Sequence, residues 1–301
     1  MSTIPDVSFT IATNGPLDLA RTVAPVRHGL GDPSMRIGPN GIWRATRTSA
    51  GPLTLQLRLG EDGLAIAAWG PGAALASTIG PRLAGQEDDP AALVARHRLI
   101  RELARRLAGV RLAATGNAWE ALAPAIIEQK VTGTEAFRAW RLLVTAHGEP
   151  APGPPGLLLP PTAAVIAALP YHAFHRFGIE RRRAETLRRA AAIGDRLQRL
   201  TDAAAARRAL TPIPGIGAWT IAEVNRVAFG DADAVSVGDF HVPNLVSWAL
   251  AGEPRADDAR MLELLEPYRG QRGRVQRLLE ASGIRPPRYG PRLSPRSIAA
   301  I

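Results

Sequence analysis

Three aspartates follow a glycine-rich bend, and chemistry is most legible there. The bend is Pro214-Gly215-Ile216-Gly217; Asp231, Asp233 and Asp239 come after it, the last 22 residues beyond Gly217. A carboxylate beside a reacting carbon can stabilise positive charge that develops there, or orient and deprotonate an attacking water. The bend separates two helical patterns, one ending near Leu210 and one starting at Ala218. Gly215 and Gly217 permit positive φ and close backbone approach, and Ile216 can plug the gap between the helices. Backbone N–H groups at the start of the second helix then point outward, where a phosphate oxygen can accept them. Such a helix–hairpin–helix grips a DNA backbone without reading its sequence. Each feature also has a bland reading. Pro-Gly-Ile-Gly can be an ordinary interhelical turn, Asp231 and Asp233 a solvated acidic loop, and Asp239 a cap for the next helix.

Composition narrows the classes. The 301 residues are 46% hydrophobic and 21% charged, a globular balance. There is no cysteine, which excludes disulfides, thiolate zinc sites, iron–sulfur clusters and a cysteine nucleophile. Six scattered histidines argue against a histidine-built metal site. No apolar run approaches the roughly 20 residues that cross a bilayer. The N-terminus lacks the basic-then-apolar pattern of an export signal. The expectation is a soluble cytoplasmic protein with no membrane partner. Net charge is +10 and uneven: 16 basic against 13 acidic residues over 1–170, and 21 against 14 over 171–301. A basic second half favours a polyanionic partner, nucleic acid above all, although such charge also serves solubility. Every basic residue is arginine except Lys130.

The elements that must position these groups change character along the chain. Alternating or β-rich runs at 7–13, 41–48, 53–59 and 64–69, separated by turn residues such as Asn40-Gly41 and Glu61-Asp62-Gly63, predict strands. A helix-like stretch at 16–26 lies between the first and second. Asp89-Pro90 predicts a helix start, with Leu93, His97, Ile100, Ala104 and Leu107 at helical spacing to Gly109. Asn117 with Glu120 and Thr132 with Glu135 read as capping boxes, and Pro124 falls inside the first of those helices, where it can kink it. A proline-rich connector at 150–161 reads as a stiff loop. Helical stretches recur near 162–169, 180–197, 203–210, 218–229, 240–249, 257–266 and 271–281, and an extended arginine- and proline-rich tail follows.

Hairpin, helix, the apolar stretch 234–237 and Asp239, at this spacing, resemble the helix–hairpin–helix DNA glycosylases with a Gly/Pro-rich loop and an aspartate. Within them the match is to the 3-methyladenine DNA glycosylase II branch, over about 91–283 by motif. Trp119–Thr132, Phe177-Gly178-Ile179 with 181–185, and Val237-Gly238-Asp239-Phe240 resemble three further segments of that family. The resemblance implies an α+β fold: a small N-terminal β-rich domain like the TATA-binding-protein repeat (1–88), an all-α glycosylase domain (89–284) and a basic tail (285–301).

It also implies roles. Asp239, directly before the next helix, is the catalytic carboxylate, steadying an oxocarbenium-like sugar as the N-glycosidic bond breaks. Strand-nicking relatives carry a Schiff-base lysine where this chain has Trp219, so the implied enzyme is monofunctional and uses water. Trp219 can line the base pocket, where its face attracts a cationic alkylated purine by about 0.5–2 kcal/mol; its bland reading is a core aromatic. Glu223, one turn on, departs from the family's aromatic; it can attract a cationic base, or simply pair with Arg226. Gln129 or Lys130 is the side chain that fills the space left by the flipped nucleotide, unless Lys130 meets a phosphate or merely ends a helix. Gly215, Ile216 and Gly217 hold the DNA backbone. The arginines at 181–183 and in the tail are phosphate candidates, more simply solvated; Glu128 and His241 stand nearby without an assigned role. The implied partner is duplex DNA with damaged bases, the implied state a monomer. No cofactor is implied beyond a monovalent cation at the hairpin carbonyls when DNA is bound. The alternatives are a non-catalytic helix–hairpin–helix protein that recognises distorted or abasic DNA, and a glycosylase for oxidised or deaminated bases.

Overall fold

The computed structural model describes residues 3–287. The tail from 288 onward, with Arg288, Arg292 and Arg296, lies outside the described residues. Five antiparallel strands, β1 (Val7–Ile11), β2 (Met35–Gly38), β3 (Gly41–Thr48), β4 (Gly51–Gly60) and β5 (Gly63–Trp69), form one sheet in the order β1-β5-β4-β3-β2. Leu53, Leu55 and Leu57 of β4 alternate onto one face with Leu64 and Ile66 of β5, and all are essentially buried. Gly63, at φ 118°, closes the β4–β5 hairpin; a Cβ there would stand 2.2 Å from the Ile11 carbonyl oxygen. The four-residue β2 is too short to show alternation in the sequence, and only its pairing with β3 reveals it.

The expected helix at 16–26 shrinks to α1 (Leu19–Val23), capped by Asp18, because Pro25 turns the chain into a 3₁₀ turn at Ala24–Val26. With α2 (Ala76–Leu83), it covers the leucine face of the sheet. The helix expected from Asp89 does not run through. Asp89 caps a single 3₁₀ turn, Leu93 is extended, and α3 spans Arg98–Arg106. The His97 N–H donates to the Tyr268 hydroxyl instead of an upstream carbonyl, so the helix starts after it.

The remaining helices are α4 (Ala118–Ile127), α5 (Gly133–His147), α6 (Ala163–Ala168), α7 (Arg181–Ala191), α8 (Gly194–Gln198), α9 (Ala203–Leu210), α10 (Ala218–Phe229), α11 (Val242–Ala251), α12 (Asp258–Leu265) and α13 (Arg272–Ser282). Every residue of α4, Pro124 included, is buried, and it packs most extensively on α10. Glu120 does not complete a capping box. The Asn117 side chain accepts its N–H, but the Glu120 carboxylate turns to β3, accepting from Arg44, Thr46 and the Arg47 amide at 2.7–3.0 Å. Burial decides this, since Arg44 is buried too and needs a counter-charge. The box at Thr132 and Glu135 is complete. The proline-rich connector folds into a two-stranded ladder, β6 (Glu149–Pro150) with β7 (Leu158–Leu159), whose neighbours Ala151 and Leu157 pack on Ala45 and Trp43 of β3.

Candidate active site

The bend between α9 and α10 is built from one strained glycine and one open one. Gly215 sits at φ 95°, and a Cβ there would lie 2.3 Å from the Thr186 hydroxyl of α7, so only glycine fits. Gly217 differs from expectation: its backbone is extended, at φ −109°, and among the described residues a Cβ would meet nothing within 4 Å. Its glycine leaves the approach to the start of α10 unobstructed. Ile216 is buried as the plug, while Gly215, Gly217 and Ala218 are exposed. Among the described residues no side chain caps α10, so its first-turn amides keep the capacity to bind an anion. The carbonyls of Leu210, Ile213 and Gly215 each already accept one N–H. Each of these oxygens keeps a second lone pair.

The loop from α10 to α11 separates its three aspartates. Asp233 anchors the start of α13, accepting from the Gly270 amide and from Arg272 at 2.5 and 2.8 Å. Burial works against its charge, but the bonds from Arg272 outweigh it and hold the carboxyl below the usual aspartate range. Asp231 accepts the Asp233 amide. Asp239 is half-buried and set against the hairpin helix. Its Oδ1 accepts from the His241 and Val242 amides at 2.7 and 2.9 Å, and its Oδ2 from the Trp219 indole at 3.2 Å. It therefore serves the first turn of α11 while presenting a carboxylate held by three N–H donors beside the second residue of α10. Phe240, the next residue, is 75% exposed.

Glu223, one turn after Trp219, makes the pair with Arg226 at 3.0 Å and accepts the Ser236 hydroxyl at 2.5 Å. Burial is the largest influence and pushes its carboxyl up; Glu280 and Glu128 add to that, against Arg226 and Ser236. Arg226 bridges on to Glu280 at 2.7 Å, and the two glutamates raise its pKa despite burial.

Gln129 and Lys130 have different surroundings. The Gln129 amide donates to the Gly215 carbonyl at 2.9 Å and to the Thr220 hydroxyl at 2.8 Å, which ties the end of α4 to the hairpin. Lys130 is exposed at the loop tip and, among the described residues, is the only non-glycine at positive φ, 56°. Just before them Glu128 meets His28 at 3.1 Å, across 100 residues of sequence. Arg183 is not a phosphate candidate. It is buried, with its guanidinium donating to the Ile127 and Gly178 carbonyls, which closes the end of α4. A cavity of about 260 Å³, lined by Arg82, Asp88, Gln271 and Arg274 among others, shares no residue with this constellation. Ser236, Glu280, Asp258 (whose carboxylate accepts the Gly238 amide) and His28 carry no sequence signal, because their partners lie far along the chain.

No family model and no curated protein matches the sequence. Solved structures do match. The chain is similar to 3-methyladenine DNA glycosylase from Archaeoglobus fulgidus, at 18% identity and TM-score 0.74, over 90% of this chain and 97% of that one. The fold is that of the helix–hairpin–helix DNA glycosylases. An 8-oxoguanine glycosylase/lyase from Clostridium acetobutylicum matches at 12% identity and TM-score 0.69, over 92% and 98% of the two chains. A 3-methyladenine DNA glycosylase from Schizosaccharomyces pombe in complex with abasic DNA matches at 17% and TM-score 0.52, over 65% and 96%. In this chain Gln129, the hairpin, Trp219 and Asp239 stand in one connected set of contacts. Among the described residues no helix is long and apolar enough to cross a membrane.

Proposed function

We propose that the protein is a DNA glycosylase that takes a damaged nucleotide out of duplex DNA, hydrolyses its N-glycosidic bond and leaves an abasic site. The observation that carries this reading is the Asp239 carboxylate, bonded through Trp219 to the helix whose N-terminus forms the hairpin. An anion bound at the hairpin amides and a sugar beside Asp239 would then belong to one stretch of DNA backbone. As the bond to the base lengthens, positive charge grows on the sugar, and the fixed carboxylate offsets it. Both of its oxygens already accept hydrogen bonds, so electrostatic stabilisation and orientation of water suit it better than full proton abstraction.

Trp219 cannot act as an amine nucleophile, so water completes the reaction, and the enzyme is monofunctional. Its indole offers a face to the base, while Glu223, a turn beyond, is already engaged by Arg226 and Ser236. A cationic alkylated purine such as 3-methyladenine suits that face, and it is already a good leaving group that needs little acid catalysis. Lys130, exposed where Gln129 is already committed, is the side chain that enters the duplex. The fold is shared with a glycosylase/lyase for 8-oxoguanine as well, so the substrate decides between readings. The test is a panel of duplexes bearing alkylated, oxidised and deaminated bases, with free base measured under single-turnover conditions. Release confined to alkylated purines supports the proposal. Binding to abasic DNA without release of any base replaces it with a non-catalytic role.

A further inference from the structure

We infer that Ser236 is a positioning residue of the active site, the hub of a buried polar cluster that sets where the Asp239 carboxylate stands. This deepens the proposed function and rests on it. Ser236 is 1% exposed, and its hydroxyl uses its full hydrogen-bonding capacity. It donates to Glu223 at 2.5 Å and accepts from Arg226 at 2.9 Å and Gln276 at 2.8 Å. Its backbone is held as well: its N–H donates to the Gln276 side-chain carbonyl at 3.1 Å, and its own carbonyl accepts the Asp239 N–H at 3.1 Å. Two residues, Val237 and Gly238, separate the hub from Asp239, and the Gly238 amide is fixed by Asp258.

The cluster joins three elements. Glu223 and Arg226 come from α10, Gln276 and Glu280 from α13, and Ser236 from the loop. Arg277 of α13 extends it to the Arg21 carbonyl of α1. Helix α10 therefore locates Asp239 twice, through Trp219 on one carboxylate oxygen and through Glu223 and Ser236 on the loop that bears it. An apolar cluster of the same volume would fill this space at lower desolvation cost, but it would not fix the direction of the chain. Arg226 and Arg277 balance Glu223 and Glu280, so the cluster delivers geometry to Asp239 and not net charge.

The experiment compares wild type, Ser236→Ala, Ser236→Thr and Gln276→Met. It measures single-turnover base release, the Kd for a duplex holding a tetrahydrofuran abasic analogue, thermal melting, and amide hydrogen exchange over 237–241. For Ser236→Ala the expected result is release slowed ten- to a hundredfold with Kd within twofold of wild type. Exchange over 237–241 rises about tenfold, while that of 213–217 is unchanged. Ser236→Thr, which keeps the hydroxyl, restores release to within a few-fold. Gln276→Met gives the same split should the alanine variant not fold. Release and exchange at wild-type levels in both Ser236→Ala and Gln276→Met would overturn the inference, as would a loss of DNA affinity and melting temperature in step with rate. If wild type releases no base at all, the proposed function fails by itself, and the exchange arm still reads whether Ser236 holds the loop.

Discussion

Replacing Asp239 by asparagine removes the charge and rearranges its bonds, and the two effects can be separated. A full negative charge about 4 Å from an oxocarbenium carbon, at an effective dielectric of about 20, is worth about 4 kcal/mol. At about 1.4 kcal/mol per decade, its loss slows base release by about a thousandfold. The structural effect is smaller. Three N–H groups converge on Asp239, two on Oδ1 and the Trp219 indole on Oδ2. Asparagine has one acceptor oxygen, so if it keeps the two amides it turns its NH₂ toward the indole N–H. That lost bond costs about 1–3 kcal/mol of stability. The assay is single-turnover release of methylated purine from duplex DNA with enzyme in excess, beside a melting curve and the Kd for abasic duplex. Asp239→Asn is expected to bind abasic DNA as wild type does, melt a few degrees lower and release base about a thousand times more slowly. Release within tenfold of wild type at equal affinity would refute the electrostatic role.

Further expectations follow from other contacts. Lys130 pays about 1–2 kcal/mol for its left-handed backbone, so Lys130→Gly should raise stability by up to about 1 kcal/mol and Lys130→Ala should not. Both should weaken base release, and calorimetry beside the release assay checks the pair. Gly215→Ala forces a Cβ against Thr186 at φ 95° and should destabilise by about 2 kcal/mol or more. Gly217→Ala, with open space around it, should leave stability within about 0.5 kcal/mol, and its effect should show only in DNA affinity. The carboxyl of Asp233 is held below its unfolded value, so it contributes stability that is present above about pH 4 and lost as the pH falls through the folded value. Asp233→Asn should flatten that acid limb in denaturation curves taken from pH 2 to 6. Glu223 has the opposite sign: its carboxyl is raised, so folding weakens as the pH climbs from its unfolded value through the folded one, and Glu223→Gln should remove that slope.

Local chemistry made much of this molecule legible. Pro-Gly-Ile-Gly followed by a helical run fixes its own turn, because the strain at Gly215 and the helix propensity of 218–229 are properties of a few adjacent residues. Asp239 was readable for the same reason, as a short-range acceptor ahead of the next helix. The Thr132 and Glu135 box closes between residues three apart. The sequence could not say that Glu120 would leave its box for Arg44, 76 positions away, or that Arg183 would close α4 instead of facing solvent. Nor could it divide Gln129 from Lys130, or gather Ser236, Gln276 and Glu280 around Glu223 and Arg226. Those outcomes depend on which buried charge finds which partner. Once water is excluded, an unpaired charge is too costly to keep, so the packing of distant elements, and not the neighbouring residues, chooses the pairs.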